Sequence, residues 1–169
     1  MSLSEGLLPE FDQEMAKTRS VLARIPMDKY DWKPHEKSFS MGDLANHVAR
    51  MAGWGLSTMT TEVIDYAPVD GEVPEPPIAR TTEALLELFD GSVAGFRDAV
   101  AGATDDDFFA PWTLQAGGQD LFTLPRGAVV RSFILNHIVH HRAQLTVYLR
   151  LNDIPVPGLY GPSADEGPG

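Results

Sequence analysis

Three of the chain's five histidines fall at positions 137, 140 and 141, inside "NHIVHHRAQL" (136–145). On a helix turning about 100° per residue, His137 and His141 stand about 40° apart, one turn above the other. Two imidazoles so placed can converge on one ion. His140 lies about 60° to the other side of His137, so it flanks such a site without joining both neighbours on the same ion. A further histidine, His47, falls on the apolar stripe of an earlier helical segment. If the two helices are neighbours, His47, His137 and His141 meet in the interior as three neutral nitrogen ligands. Such a set leaves a position open on a divalent cation, as catalytic rather than closed structural sites do. Imidazole suits zinc, nickel, iron(II) or copper, and the spacing does not choose among them. The competing reading is a set of core histidines, each hydrogen-bonded to backbone or to a neighbour, because buried polar groups need partners. HxxxH alone arises by chance on many helices. The third inward histidine is what favours a metal.

Two metal chemistries are excluded. HExxH proteases carry Glu directly after the first histidine; here that position is Ile138. Ferritin-like di-iron bundles need Glu three residues before histidine on two helices; here those positions are Ile134 and Leu44. The expected site is mononuclear and has no built-in general base.

The elements that must position these residues are helical. One segment runs from about Glu5 to Arg24, with Leu8, Phe11, Met15, Thr18 and Leu22 on one stripe. A second opens at "SFSMGDLANHVARM", where Ser40 and Asp43 resemble a capping box with Asp in place of Glu. Its stripe is Leu44, His47, Met51, Trp54 and Thr58. The proline-rich stretch 66–80 reads as a connector. A third helix starts at Thr81 or Thr82 and runs to about Val100, with Leu85, Leu88, Phe89, Val93 and Phe96 inward. "WTLQ" and "DLFTL" flank Gly117-Gly118 and read as a hairpin. The fourth helix opens with Pro125 near its first position and runs to about Leu151. Its inward stripe is Val130, Phe133 or Ile134, His137, His141, Gln144 and Tyr148. The expectation is an all-α four-helix bundle with a small irregular or hairpin insertion before the last helix. One domain spans 1–169, with an extended C-terminal tail from about 152.

Composition narrows the function classes. The chain has no cysteine, so disulfides, thiolate metal sites and a cysteine nucleophile are excluded. A net charge of −11 disfavours nucleic acid and anionic membrane as partners, because both repel it. No apolar run reaches the roughly 18 residues of a spanning helix, and the first residues do not read as a signal peptide. The expected localisation is cytoplasmic.

The stretch "NHIVHHRAQLTVYLRLNDIPVPGLYGPSADE" resembles the end of DinB-family proteins, the damage-inducible, YfiT-like proposed metalloenzymes. A histidine pair, Arg142-x-Gln144, Tyr148-Leu149-Arg150, Val156-Pro157 and Tyr160-Gly161-Pro162 carry the resemblance. "SFSMGDLANHVARM" and the preceding "YDWKPHEKSFS" are similar to the family's second helix and the loop before it. The resemblance spans about Phe11 to Glu166 and is weakest in the third helix and 105–124. It implies a bundle of up-down-down-up order, assembled as a homodimer. It also implies one divalent metal, nickel or zinc, on His47, His137 and His141. It further implies thiol-dependent transferase or isomerase chemistry using a low-molecular-weight thiol. Two classes therefore stand: a metalloenzyme, and a non-catalytic metal- or ligand-binding dimeric bundle.

Other residues are read from their angles. Arg142, about 140° from His137, points away from the metal and pairs with an acid or caps the tail. Gln144 and Tyr148 either hold a ligand histidine by its second nitrogen or hydrogen-bond within the core. Trp54 lines the pocket or fills the core. His140 either partners a ligand histidine from behind or lies on the helix surface against the following loop, as its offset angle favours, and His35 reads as surface. Tyr160 folds back or crosses to a partner, and "EGPG" at the end reads as disordered.

Overall fold

The computed structural model describes residues 1–69, 71 and 76–167. Six α-helices appear among them: α1 (Leu3–Leu22), α2 (Met41–Thr60), α3 (Thr82–Gly102), α4 (Asp105–Phe109), α5 (Arg126–Val129) and α6 (Asn136–Leu151). Three strands accompany them: β1 (Val63–Asp65), β2 (Pro111–Ala116) and β3 (Gln119–Pro125). The all-α expectation is corrected by this small sheet, ordered β1-β2-β3. Part of the proline-rich connector, residues 70 and 72–75, lies outside the described residues.

The helices begin where short polar side chains supply the missing acceptor for the first N–H groups. Ser2 and Glu5 form a reciprocal capping box on α1. Ser40 Oγ accepts the Asp43 N–H at 3.1 Å on α2. The Asp43 carboxylate does not complete that box; it accepts the Tyr30 hydroxyl at 3.4 Å instead. Thr81 caps α3 through the Ala84 N–H.

Each long helix buries one stripe. Phe11, Met15 and Leu22 of α1, Leu44 and Val48 of α2, Leu85, Phe89 and Phe96 of α3, and Ile138, Leu145 and Leu149 of α6 share one core. α1 packs on α3 and α6, and α2 packs on α3 and α6. The last two helices differ from the uninterrupted helix that periodicity predicts. Pro125 is the N-cap of α5, not its first residue. Between α5 and α6, Val130–Leu135 forms a π-helical segment, a wider turn with i→i+5 bonding that frequently accompanies functional sites.

The hairpin expectation is met by β2 and β3, which pair antiparallel. Gly117 and Gly118 take φ 61° and 73°, the left-handed pair that a type I′ turn requires. β1 was not legible in the sequence. It pairs parallel to β2, and Asp65 at its end accepts the N–H groups of Gly117 and Gly118 at 3.1 and 2.6 Å. β1 touches α2, and β2 and β3 touch α5.

The tail beyond α6 has no helix or strand among the described residues, and it folds back on the bundle through the Tyr160 hydroxyl, which meets Glu14 and Arg142. Ser163 to Glu166 are tied down: Asp165 pairs with Arg150 and Glu166 with Arg24. That corrects the expected disorder for Glu166, while Pro168 and Gly169 lie outside the described residues.

Candidate functional site

α2 and α6 are neighbours, and this brings the three inward histidines together. His137 and His141 Nε2 stand 2.8 Å apart, and His47 Nε2 lies 3.5 Å from His137 Nε2. The three candidate ligand atoms all lie within 4.8 Å of one another. Around a tetrahedral ion with metal–nitrogen bonds of about 2.0–2.1 Å, ligand nitrogens sit about 3.3 Å apart. The observed edges bracket that value. The His47 and His141 rings are nearly perpendicular, at 85°, so they meet edge-on instead of stacking.

Protonation favours the same arrangement. His141 is buried, and His47 and His137 are half-buried. Burial, then the neighbouring His141 and His137, pushes the His47 ring down to about 4. Burial also lowers His137 and His141, against opposing hydrogen bonds to the Phe133 backbone and to Gln144. All three rings are therefore neutral near pH 7, the form that ligates metals. Gln144 Oε1 can only accept, so His141 Nδ1–H donates to it at 2.6 Å. The lone pair of His141 is thereby left on Nε2, facing the other two rings. A neutral Nε2 pair at 2.8 Å needs a proton or a cation between its lone pairs. This donor set fits a divalent ion, and among the described residues no carboxylate joins it.

The other expected residues separate cleanly. Tyr148 does not hold a histidine; its hydroxyl donates to the Phe39 carbonyl at 3.3 Å. That bond fixes the loop carrying Phe39, whose ring stacks on His47 at 5.8 Å and 13°. His140 is exposed, its ring 4.9 Å from that of His141. His35 is exposed. Arg142 points away from the histidines and is wholly buried, its Nη2 donating to Glu14 Oε2 at 2.6 Å and to the Tyr160 hydroxyl at 2.5 Å. Trp54 lines a cavity of about 500 Å³ that opens onto His47 and His137. A smaller cavity of about 240 Å³ also borders His47, with Tyr30, Asp43 and Arg50 around it.

Sequence reasoning missed Phe39, Arg50 and the sheet residues of the larger cavity. Phe39 had one signal, an aromatic residue directly before the helix cap. Arg50 is one turn beyond His47, at a spacing that places it on the same face.

The model of the family described as "DinB family" matches residues 1–168. The chain is 23% identical over 162 residues to the uncharacterized protein YrdA of Bacillus subtilis, covering 96% of this chain and 90% of that one. A DinB-like protein from Bacillus cereus superposes with a TM-score of 0.70 at 21% identity, covering 92% of this chain and 97% of the other. A DinB-like protein from Bacillus subtilis gives 0.66 at 18% identity, covering 89% and 96%. Another from Exiguobacterium sibiricum, described as a possible member of that family, gives 0.64 at 18%, covering 90% and 94%. At such identities these structures speak to the fold.

Proposed function

The chain belongs to the DinB family, and from that premise we propose that His47, His137 and His141 hold one divalent transition metal, nickel or zinc, in a mononuclear enzyme centre. The reaction class is a thiol-dependent S-transferase or isomerase. The observation that carries this reading is the convergence of three desolvated imidazole nitrogens, one of them held in its ligating tautomer by Gln144.

A metal bound there supplies Lewis acidity to a thiol or water. The chain's own residues do the rest. Gln144 fixes the orientation of the His141 ring. Phe39 covers one face of His47 and limits water there. Arg50 borders both cavities and is placed to orient an anionic group. The chain has no cysteine, so a thiol nucleophile enters as a low-molecular-weight co-substrate.

The same reading extends to architecture. α1, α2, α3 and α6 form one bundle, with α1 and α2 each packed on α3 and α6, and its order is up-down-down-up. One domain spans 1–169, and the protein works as a cytoplasmic homodimer with a small-molecule substrate and no nucleic-acid partner. No helix among the described residues is long and apolar enough to cross a membrane.

A second reading, a non-catalytic metal- or ligand-binding dimer, is favoured by one observation: among the described residues no carboxylate belongs to the ligating group that the histidine trio forms. Metal-dependent turnover of a small thiol with an electrophile decides against it. The ligand assignment is tested by elemental mass spectrometry on untagged protein. About one equivalent of metal is expected, with loss in His137→Ala and His141→Ala. Full retention in both variants overturns the assignment.

A further inference from the structure

The larger cavity has a polar end and an apolar end. On α2 it is bordered at helical spacing by His47, Arg50, Met51, Trp54 and Thr58. From His47 to Thr58 the helix rises about 16 Å. On the facing side His137, Ile134, Phe133 and Val129 border it in the reverse chain direction. His47 meets His137 at one end. At the other end the Trp112 indole donates to Thr61 Oγ1 at 3.3 Å, just beyond Thr58. The charged and ligating side chains are therefore gathered at the His47–His137 end.

Among the described residues that line the far end, no side-chain donor is left free, and the one polar acceptor is the Thr58 hydroxyl oxygen. The Thr58 hydroxyl already donates to the Trp54 carbonyl at 2.9 Å, and the Trp112 N–H is spent on Thr61. The remaining wall is Trp112 and Leu114 of β2 and Phe122 of β3. Phe122 stacks on Phe133 at 4.7 Å and 22°. Trp54 and Phe133 stay 40% and 44% exposed beside this cavity, an apolar patch that an occupant would remove from water. A polar group pushed there would lose its hydration with little replacement, whereas an aromatic ring finds faces and edges to stack on. A volume of about 500 Å³ suits one small organic molecule.

Resting on the metal reading of the histidines, we propose that this cavity binds an elongated, largely apolar substrate bearing an aromatic ring. Its polar, reacting end lies at His47, Arg50 and His137, and its ring lies between Trp54, Phe133 and the sheet. The three-stranded sheet is then the specificity wall of the site.

The test compares two hydroxamic acids on the zinc-loaded protein by calorimetry. Both carry the same metal-directed head; 2-naphthohydroxamic acid has an aromatic body and acetohydroxamic acid has none. The aromatic compound is expected to bind at least about tenfold tighter. Trp54→Ala and Leu114→Gln, checked for folding by circular dichroism and for unchanged zinc content, are each expected to remove most of that advantage. Equal binding of the two compounds to zinc-loaded protein overturns the proposal. So does an advantage that neither variant alters. If the protein takes up no zinc, the metal reading fails separately, and 8-anilinonaphthalene-1-sulfonate fluorescence on the metal-free protein decides. Saturable binding weakened by Trp54→Ala supports the cavity assignment; no binding, or binding the variant leaves unchanged, overturns it.

Discussion

Gln144 Oε1 stands 2.6 Å from Nδ1 of His141, and this one hydrogen bond turns the free nitrogen of His141 toward His137 and His47. Removing it leaves the ring free to change tautomer and to rotate. Gln144→Leu is expected to lower zinc or nickel affinity by about 10- to 100-fold while leaving the fold intact. Competition with a chromophoric chelator measures it. Unchanged affinity would show that the bond is only a core contact.

The metal-free protein is expected to lose stability as pH falls from about 6.5 to about 4. Burial and the adjacent rings push His47 down to about 4 in the folded chain, while an unfolded chain restores it to about 6.5. Between those values the unfolded state binds a proton that the folded state does not, so acid favours unfolding. His137 and His141, lowered first by burial, act in the same sense. Urea midpoints of metal-free protein at pH 7.5 and 5 test this, with a smaller pH difference expected in His47→Asn. A midpoint that rises at pH 5 contradicts the sign.

Arg142 is 1% exposed and bonded to Glu14 of α1 and Tyr160 of the tail. Arg142→Ala takes the buried one of two cations from the Glu14 carboxylate, leaving it Lys17 and the Tyr160 hydroxyl, and is expected to cost about 3 kcal/mol. The double variant Glu14→Leu, Arg142→Met removes both charges and is expected to be less destabilised. Burial raises the Glu14 carboxyl, but hydrogen bonds from Tyr160, Arg142 and Lys17 outweigh it and hold it below its ordinary value. Its stabilisation is therefore present at neutral pH and lost as pH falls through that lowered value. Denaturant titration of the three proteins checks the order.

Two glycine substitutions in helices are expected to have opposite signs. A Cβ on Gly55 of α2 would stand 2.6 Å from the Phe96 ring of α3. Gly55→Ala gains up to about 1 kcal/mol of helix propensity but meets an overpacking cost of about 1–3 kcal/mol, so a net loss is expected. Gly91 in α3 is exposed, with nothing within 4 Å of its Cβ position. Gly91→Ala is expected to stabilise by about 0.5–1 kcal/mol. Thermal midpoints of the two variants read both signs.

The sequence by itself determined what depends on local spacing. HxxxH at 137 and 141 sets two imidazoles one turn apart on any α-helix, and Ser40, Thr81 and Gly117-Gly118 mark two helix starts and one turn by short-range hydrogen bonding and backbone sterics. The inward position of His47 was legible because a histidine interrupts the stripe Leu44, Met51. The direction of Arg142, away from the histidine trio, followed from its angle on the same helix. Tertiary structure alone decided what depends on contacts between distant segments. That α2 lies beside α6, and so that His47 reaches His137, is a packing outcome with 90 positions between the two residues. Glu14 as the partner of Arg142 is 128 positions away, and nothing local in either segment names the other. β1 is three residues long, too short for a periodic signal, and exists because the β2 edge pairs with it and its Asp65 accepts the Gly117 and Gly118 N–H groups. The π segment before α6 answers to packing rather than to propensity. So does the aromatic wall that Trp112 and Phe122 present to the larger cavity, because a strand's alternation says which residues share a face but not what that face will meet.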